Sequence, residues 1–176
     1  MPTILVVEDE TAIRNMIGLA LEEEGDYRVL AARSLGDAEA ALAEERPDLV
    51  ILDAVVPPAA SFPGRSGMEF AAYALARELP VIVMTGHPDL ADALAEVAFP
   101  LLRKPFGIDE LLSAVRAAMT RPKDNLRRVR GALAYLLHEP GALAGLIERL
   151  GRLGDEIDAA PSNAAPRSPR PRRRQN

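Results

Sequence analysis

The chain has 176 residues, no cysteine, two histidines, an apolar fraction of 48% and a formal net charge of −5. That length holds one ordinary domain with an appendage but not two full domains. The composition excludes disulfides, thiolate metal sites and a histidine-built structural zinc. No apolar run reaches the ~18 residues of a membrane span, and Met1-Pro2 leads directly into a strand pattern with no secretory leader. The expected location is cytoplasmic.

Residues 4–7 (Ile4-Leu5-Val6-Val7) read as a strand that ends in Glu8-Asp9-Glu10. Ile13, Met16, Ile17, Ala20 and Leu21 then mark the apolar stripe of a helix, with Gly25 as its stop. Residues 27–31 predict a second strand, and Ser34 caps a helix through about residue 44. The run 49–52 is a third strand, closed by Asp53. Helix-favouring residues follow over 67–78, then a fourth strand over 81–84 ending at Thr85-Gly86. A short helix over 89–96, a fifth strand over 99–102 ending at Arg103-Lys104-Pro105, and a helix marked by Ile108, Leu111, Leu112, Val115 and Met119 complete the pattern.

Strands alternating with helices predict an α/β fold, a parallel sheet covered on both faces. Right-handed crossovers favour the flavodoxin-like order 2-1-3-4-5, in which ligands sit at the carboxyl ends of strands one and three. Glu8, Asp9 and Asp53 stand at those ends.

Charge divides the chain. Residues 1–122 carry 20 acidic and 10 basic residues, whereas 123–176 carry 6 and 11, which places a boundary near Thr120-Arg121-Pro122. Residues 1–120 are thus read as the main domain. Residues 123–158 predict a helical hairpin: Leu126, Val129, Leu133, Leu136 and Leu137 form one stripe, Pro140-Gly141 breaks it, and Leu143, Leu146, Ile147 and Leu150 form another. So short a unit is expected to pack on the main domain or on a second copy, which makes homodimerisation one option. Residues 159–176, with four prolines, five arginines and no acid, are expected to be disordered.

The rim residues point to one chemistry. Three adjacent carboxylates repel unless a cation lies among them. Magnesium takes oxygen ligands and uses one or two carboxylates with phosphate oxygens. Asp9 and Asp53 suit direct ligation, Glu8 ligation through water, and the Val55 carbonyl a further position. A metal there would neutralise Asp53 enough for attack on a phosphoryl group. Lys104 would pair with phosphoryl oxygens as a point charge, and Thr85 would donate a hydrogen bond to one of them. An aspartyl phosphate adds about −1.5 to −2 charge, enough to reorganise a surface.

Ile4-Leu5-Val6-Val7-Glu8-Asp9-Glu10 with Arg14, Ile51-Leu52-Asp53 with Pro57, Val83-Met84-Thr85-Gly86 and Lys104-Pro105-Phe106 together resemble the response-regulator receiver domain of two-component signalling. The resemblance covers about residues 3–120. It implies that Asp53 is the phosphoacceptor, Glu8 and Asp9 the acidic pair that holds Mg2+, Thr85 the switch hydroxyl and Lys104 the family's lysine. It also implies a phosphohistidine donor on a histidine kinase or phosphotransfer protein, and a protein that switches partners and is not an enzyme in its own right. Three positions depart from the pattern. Gly67, the match to a family glycine, lies fourteen residues after Asp53, which implies an insertion within 59–66. Lys104 follows Thr85 by nineteen residues, slightly fewer than usual, which predicts a short fourth helix. The aromatic expected three residues before the lysine is Leu101, with Phe99 two positions earlier on the same strand face.

Other readings compete. Arg14 reads as a surface or salt-bridge residue, and His87 as a solvated loop residue with a lesser role in tuning water attack. His138-Glu139-Pro140 lacks the rest of a kinase phosphohistidine motif. A haloacid-dehalogenase-type phosphatase needs a second acid where Val55 stands. A flavin module needs a phosphate loop where Glu8-Asp9-Glu10 would repel phosphate. A transcription-related regulator that binds nucleic acid through the basic C-terminal region is the alternative function. The segment after Lys123 is too short for a winged helix, so nucleic acid is disfavoured, and no membrane role is expected.

Overall fold

The computed structural model describes residues 1–56, 67–96 and 98–138. In chain order it contains β1 (Thr3–Val7), α1 (Thr11–Glu23), β2 (Arg28–Ala32), α2 (Leu35–Glu44), β3 (Leu49–Asp53), α3 (Gly67–Ala76), β4 (Val81–Thr85), α4 (Pro88–Glu96), β5 (Leu101–Arg103), α5 (Ile108–Thr120) and α6 (Pro122–His138). The five strands form one parallel sheet in the order β2-β1-β3-β4-β5, as the alternation predicts. Among the described residues, no helix is long and apolar enough to cross a membrane.

Period-two alternation divides the core into two layers. Leu5, Val7, Val50, Leu52, Val81 and Val83 face one side, with apolar residues of α2, α3, α4 and α6. Ile4, Val6, Leu49, Ile51, Ile82 and Met84 face the other, against α1 and α5. Every residue of β1, β3 and β4 is buried, as strands covered on both faces require. The unbroken apolar runs leave polar residues only at the strand ends, so the carboxyl rim collects them.

Two strands start later than predicted. β2 starts at Arg28 because the Tyr27 N–H is taken by the Leu21 carbonyl at the end of α1 (3.1 Å). β5 starts at Leu101, not at residue 99. Pro100 has no N–H to give a ladder, and the Phe99 N–H closes the end of α4 on the Leu94 carbonyl (2.9 Å). Phe99 is therefore a core residue outside the strand, although it shares a core layer with Leu90, Leu94 and Leu101 as expected. α4 is nine residues long, short as predicted.

α6 lies against the domain and contributes Val129 and Ala132 to the same core layer as α3. Its buried stripe is Asn125, Val129 and Ala132, with Leu126 and Leu133 only half-buried. Asn125 explains the difference. Its amide donates to the Val81 carbonyl (3.0 Å), and its side-chain oxygen accepts from the Val81 N–H (2.9 Å). These Val81 groups face the β5 side of β4, but β5 begins opposite Val83, so Val81 has no strand neighbour on that side. The Asn125 side chain replaces the missing rung and satisfies both buried groups. Arg128 adds a hydrogen bond to the Ala98 carbonyl (3.1 Å). The insertion expected within 59–66, the predicted second arm of the hairpin and the arginine-rich tail lie outside the described residues.

Candidate functional site

β1, β3, β4 and β5 deliver their C-terminal residues to one rim. Glu8 follows β1 and is 1% exposed, and Asp53 ends β3 and is 7% exposed. Each of Glu8, Asp9 and Asp53 offers a carboxylate oxygen, and these oxygens lie within 4.8 Å of one another. Lys104, just past β5, places Nζ 2.6 Å from Glu8 Oε2 and 2.5 Å from Asp53 Oδ2. Residues 96 and 51 positions apart thus meet through a side chain only 17% exposed.

Asp53 is held at both oxygens, since Oδ1 accepts from the Val55 N–H (2.9 Å). Val55 thus touches the carboxylate through its own amide. Glu8 Oε1 accepts from the Glu10 N–H at 3.3 Å. Burial pushes the Glu8 carboxyl up to about 7. The hydrogen bond from Lys104 opposes that rise, and the neighbouring charge of Asp53 adds to it. For Lys104, burial works against the ammonium, yet hydrogen bonds and charges from Asp53 and Glu8 prevail and hold its pKa above the usual lysine value. A buried carboxyl raised in this way is one whose ionised form a bound cation would favour.

Thr85 ends β4 one residue beyond Met84, the partner of Asp53 across the ladder. It is buried, its carbonyl accepts from the Lys104 N–H (2.8 Å), and its Oγ1 accepts from the His87 N–H (3.2 Å). His87 enters through its backbone, and its carbonyl accepts from the Ala91 N–H in the first turn of α4. Gly67 opens α3 directly against the Asp53 strand end. A Cβ there would lie 2.7 Å from the Ala54 carbonyl oxygen and 2.9 Å from that of Asp53, so only glycine lets the two backbones approach.

Arg14, expected as a surface or salt-bridge residue, is half-buried and bonds the main chain of the rim. Nη1 donates to the main-chain carbonyls of Glu8 (2.7 Å) and Asp9 (3.1 Å), and Nη2 donates to Thr11 Oγ1 (3.2 Å). The structure thus brings Glu8, Asp9, Asp53 and Lys104 together, sets Thr85 on the next strand end, and adds Arg14 and Gly67 behind them.

The family model for the response regulator receiver domain matches residues 4–116. The chain belongs to that family. Among curated relatives, the receiver is 36% identical over 126 residues to the phosphate regulon transcriptional regulatory protein PhoB of Pseudomonas aeruginosa, covering 68% of this chain and 52% of the relative. It is 37% identical over 130 residues to the KDP operon transcriptional regulatory protein KdpE of Escherichia coli, covering 69% and 52%. The chain spans about half the length of these relatives. Among solved structures, a response regulator receiver domain protein of Clostridium thermocellum superposes with a TM-score of 0.57 at 32% identity, covering 70% of this chain and 98% of that one. The response regulator TrrA of Thermotoga maritima, solved in complex with Mg(2+)-BeF, superposes with a TM-score of 0.56 at 32% identity, covering 66% and 98%.

Proposed function

We propose that this receiver accepts a phosphoryl group on Asp53 from a phosphohistidine of a histidine kinase or phosphotransfer protein, and uses the added charge to switch its protein partners. The observation that carries this reading is the Lys104 ammonium seated between Asp53 and Glu8 beside a cluster of three carboxylates.

The all-oxygen donor set of Glu8, Asp9 and Asp53 suits Mg2+, with the Val55 carbonyl as a further ligand. When bound, the ion would supply the positive charge that lets an anionic phosphoryl group approach a carboxylate. That the similar TrrA was solved in complex with Mg(2+)-BeF supports the choice of ion.

The remaining work belongs to the chain. The hydrogen bonds from Val55 and Lys104 fix the Asp53 carboxylate in one orientation, ready for in-line attack. As the bond from an Asp53 oxygen to phosphorus forms, the bond from phosphorus to the donor nitrogen breaks, and the donor imidazole recovers a proton from solvent. Lys104 then pairs with a phosphoryl oxygen. Thr85 Oγ1 already accepts from His87, so its hydroxyl hydrogen is the one to donate to a second phosphoryl oxygen. The protein acts in the cytoplasm by binding, with self-phosphorylation and slow loss of the phosphoryl group as its only chemistry.

Incubation with a small acyl phosphate and Mg2+, followed by intact mass measurement, tests this. One acid-labile phosphoryl group per chain is expected, and none with EDTA in place of Mg2+. Failure to label in Mg2+ would remove the phosphoacceptor reading.

A further inference from the structure

Arg14 occupies the first turn of α1, where a cation meets the positive end of the helix dipole. The turn holds no acid to offset it, and the Glu10 N-cap makes no side-chain hydrogen bond. The helix dipole therefore does not account for the placement. Its donors instead reach back across the β1–α1 turn, to the consecutive carbonyls of Glu8 and Asp9 and to Thr11 Oγ1.

The three acids of the rim are not equally secured. Glu8 and Asp53 are buried and each carboxylate is held by Lys104 and by a backbone N–H. Asp9 is exposed, and among the described residues its carboxylate has no hydrogen bond. Its main chain is what the described structure holds, through the bond from Arg14 to the Asp9 carbonyl.

We propose that Arg14 is a positioning residue for the metal site: by binding the Glu8 and Asp9 carbonyls together, it locks the turn that aims the Asp9 carboxylate at Asp53. This inference rests on the reading of Glu8, Asp9 and Asp53 as the Mg2+ ligands. The guanidinium fork suits the task, because its donors hold two carbonyls and a hydroxyl in one plane. A lysine ammonium has the charge without that geometry. Residues that orient metal ligands are worth about 10- to 100-fold in metal affinity.

Calorimetric titration of the full chain with Mg2+ separates the possibilities, run for wild type, Arg14→Ala and Arg14→Lys, with melting curves of each in EDTA. Arg14→Ala is expected to raise the Mg2+ Kd by about tenfold or more, and Arg14→Lys to restore little of it. In phosphorylation by an acyl phosphate, the half-saturating Mg2+ concentration rises by more than the maximal rate falls. Arg14→Lys keeps the charge and removes only the fork, so it gives an answer even where Arg14→Ala folds poorly. Wild-type Mg2+ affinity in either variant overturns the inference, as does a lower metal-free melting temperature with unchanged Kd. Absence of Mg2+ binding in wild type would instead overturn the metal reading itself, and this inference with it.

Discussion

Lys104 Nζ lies 2.5 Å from Asp53 Oδ2 and 2.6 Å from Glu8 Oε2, so one ammonium compensates two buried carboxylates from different strands. Removing one partner of such a cluster leaves uncompensated buried charge, which costs about 3–5 kcal/mol. Lys104→Met should therefore melt at a lower temperature than wild type in EDTA. Added Mg2+ should recover more stability in the variant than it gives the wild type, because the ion enters a site that has lost its lysine charge. Calorimetry with and without Mg2+ reads both effects. Equal metal stabilisation in the two proteins would mean that the lysine and the metal site act independently.

The Glu8 carboxyl sits at about 7 in the fold against an ordinary value of 4.5. A folded pKa above the unfolded one stabilises the fold below pH 4.5, and that contribution is lost as pH rises through about 7. The raised Lys104 pKa lies above the ordinary lysine value, so its contribution is constant across this window. Mg2+ competes with the Glu8 proton. The rise in melting temperature on adding Mg2+ should consequently be small near pH 6 and larger near pH 8. An effect of equal size at both values would contradict the role given to Glu8.

Gly67 meets the Asp53 strand end with no room for a Cβ, at 2.7 and 2.9 Å from two carbonyl oxygens. Backbone oxygens cannot swing aside as a flexible side chain can. Gly67→Ala should destabilise the protein by about 1–3 kcal/mol and slow phosphorylation, because relief of the contact moves the Asp53 end of β3. Denaturation and acyl-phosphate labelling measure the two. An alanine variant with wild-type stability would show that α3 shifts freely over this edge.

Asn125 satisfies both the N–H and the carbonyl of Val81 where β5 has not yet begun. Asn125→Leu keeps the bulk but leaves two buried groups unpaired, at roughly 2–4 kcal/mol. A chain ending at Arg121 should lose that bond pair together with Val129 and Ala132, and be less stable still, although the family match itself ends at residue 116. Urea denaturation of the three proteins gives the ranking. Wild-type stability in the shortened chain would show that α6 adds nothing to the fold.

The fold was legible because its central strands are unbroken apolar runs. Ile4-Leu5-Val6-Val7 and its counterparts at 49–52 and 81–84 are too short for helices, and Glu8, Asp53 and Thr85 close them with polar residues. The clustering of the acids with Lys104 followed from the parallel order alone. What escaped were partners made through the backbone. Arg14 bonds carbonyls, which every residue carries, so no complementary side chain announces it. Asn125 breaks an apolar stripe to complete a ladder, and that need exists only once β5 is known to start late. Phe99 has strand-forming character, yet Pro100 ends the ladder before it. Gly67 could be matched by type, and its steric reason emerges only in the contact with Asp53 and Ala54.

The location of the phosphoryl group is the most direct test of the account. Wild type and Asp53→Asn are incubated with Mg2+ and a small acyl phosphate, and their intact masses are compared. Wild type is predicted to gain one acid-labile phosphoryl group and Asp53→Asn none. Equal labelling of the two proteins would contradict Asp53 as the acceptor.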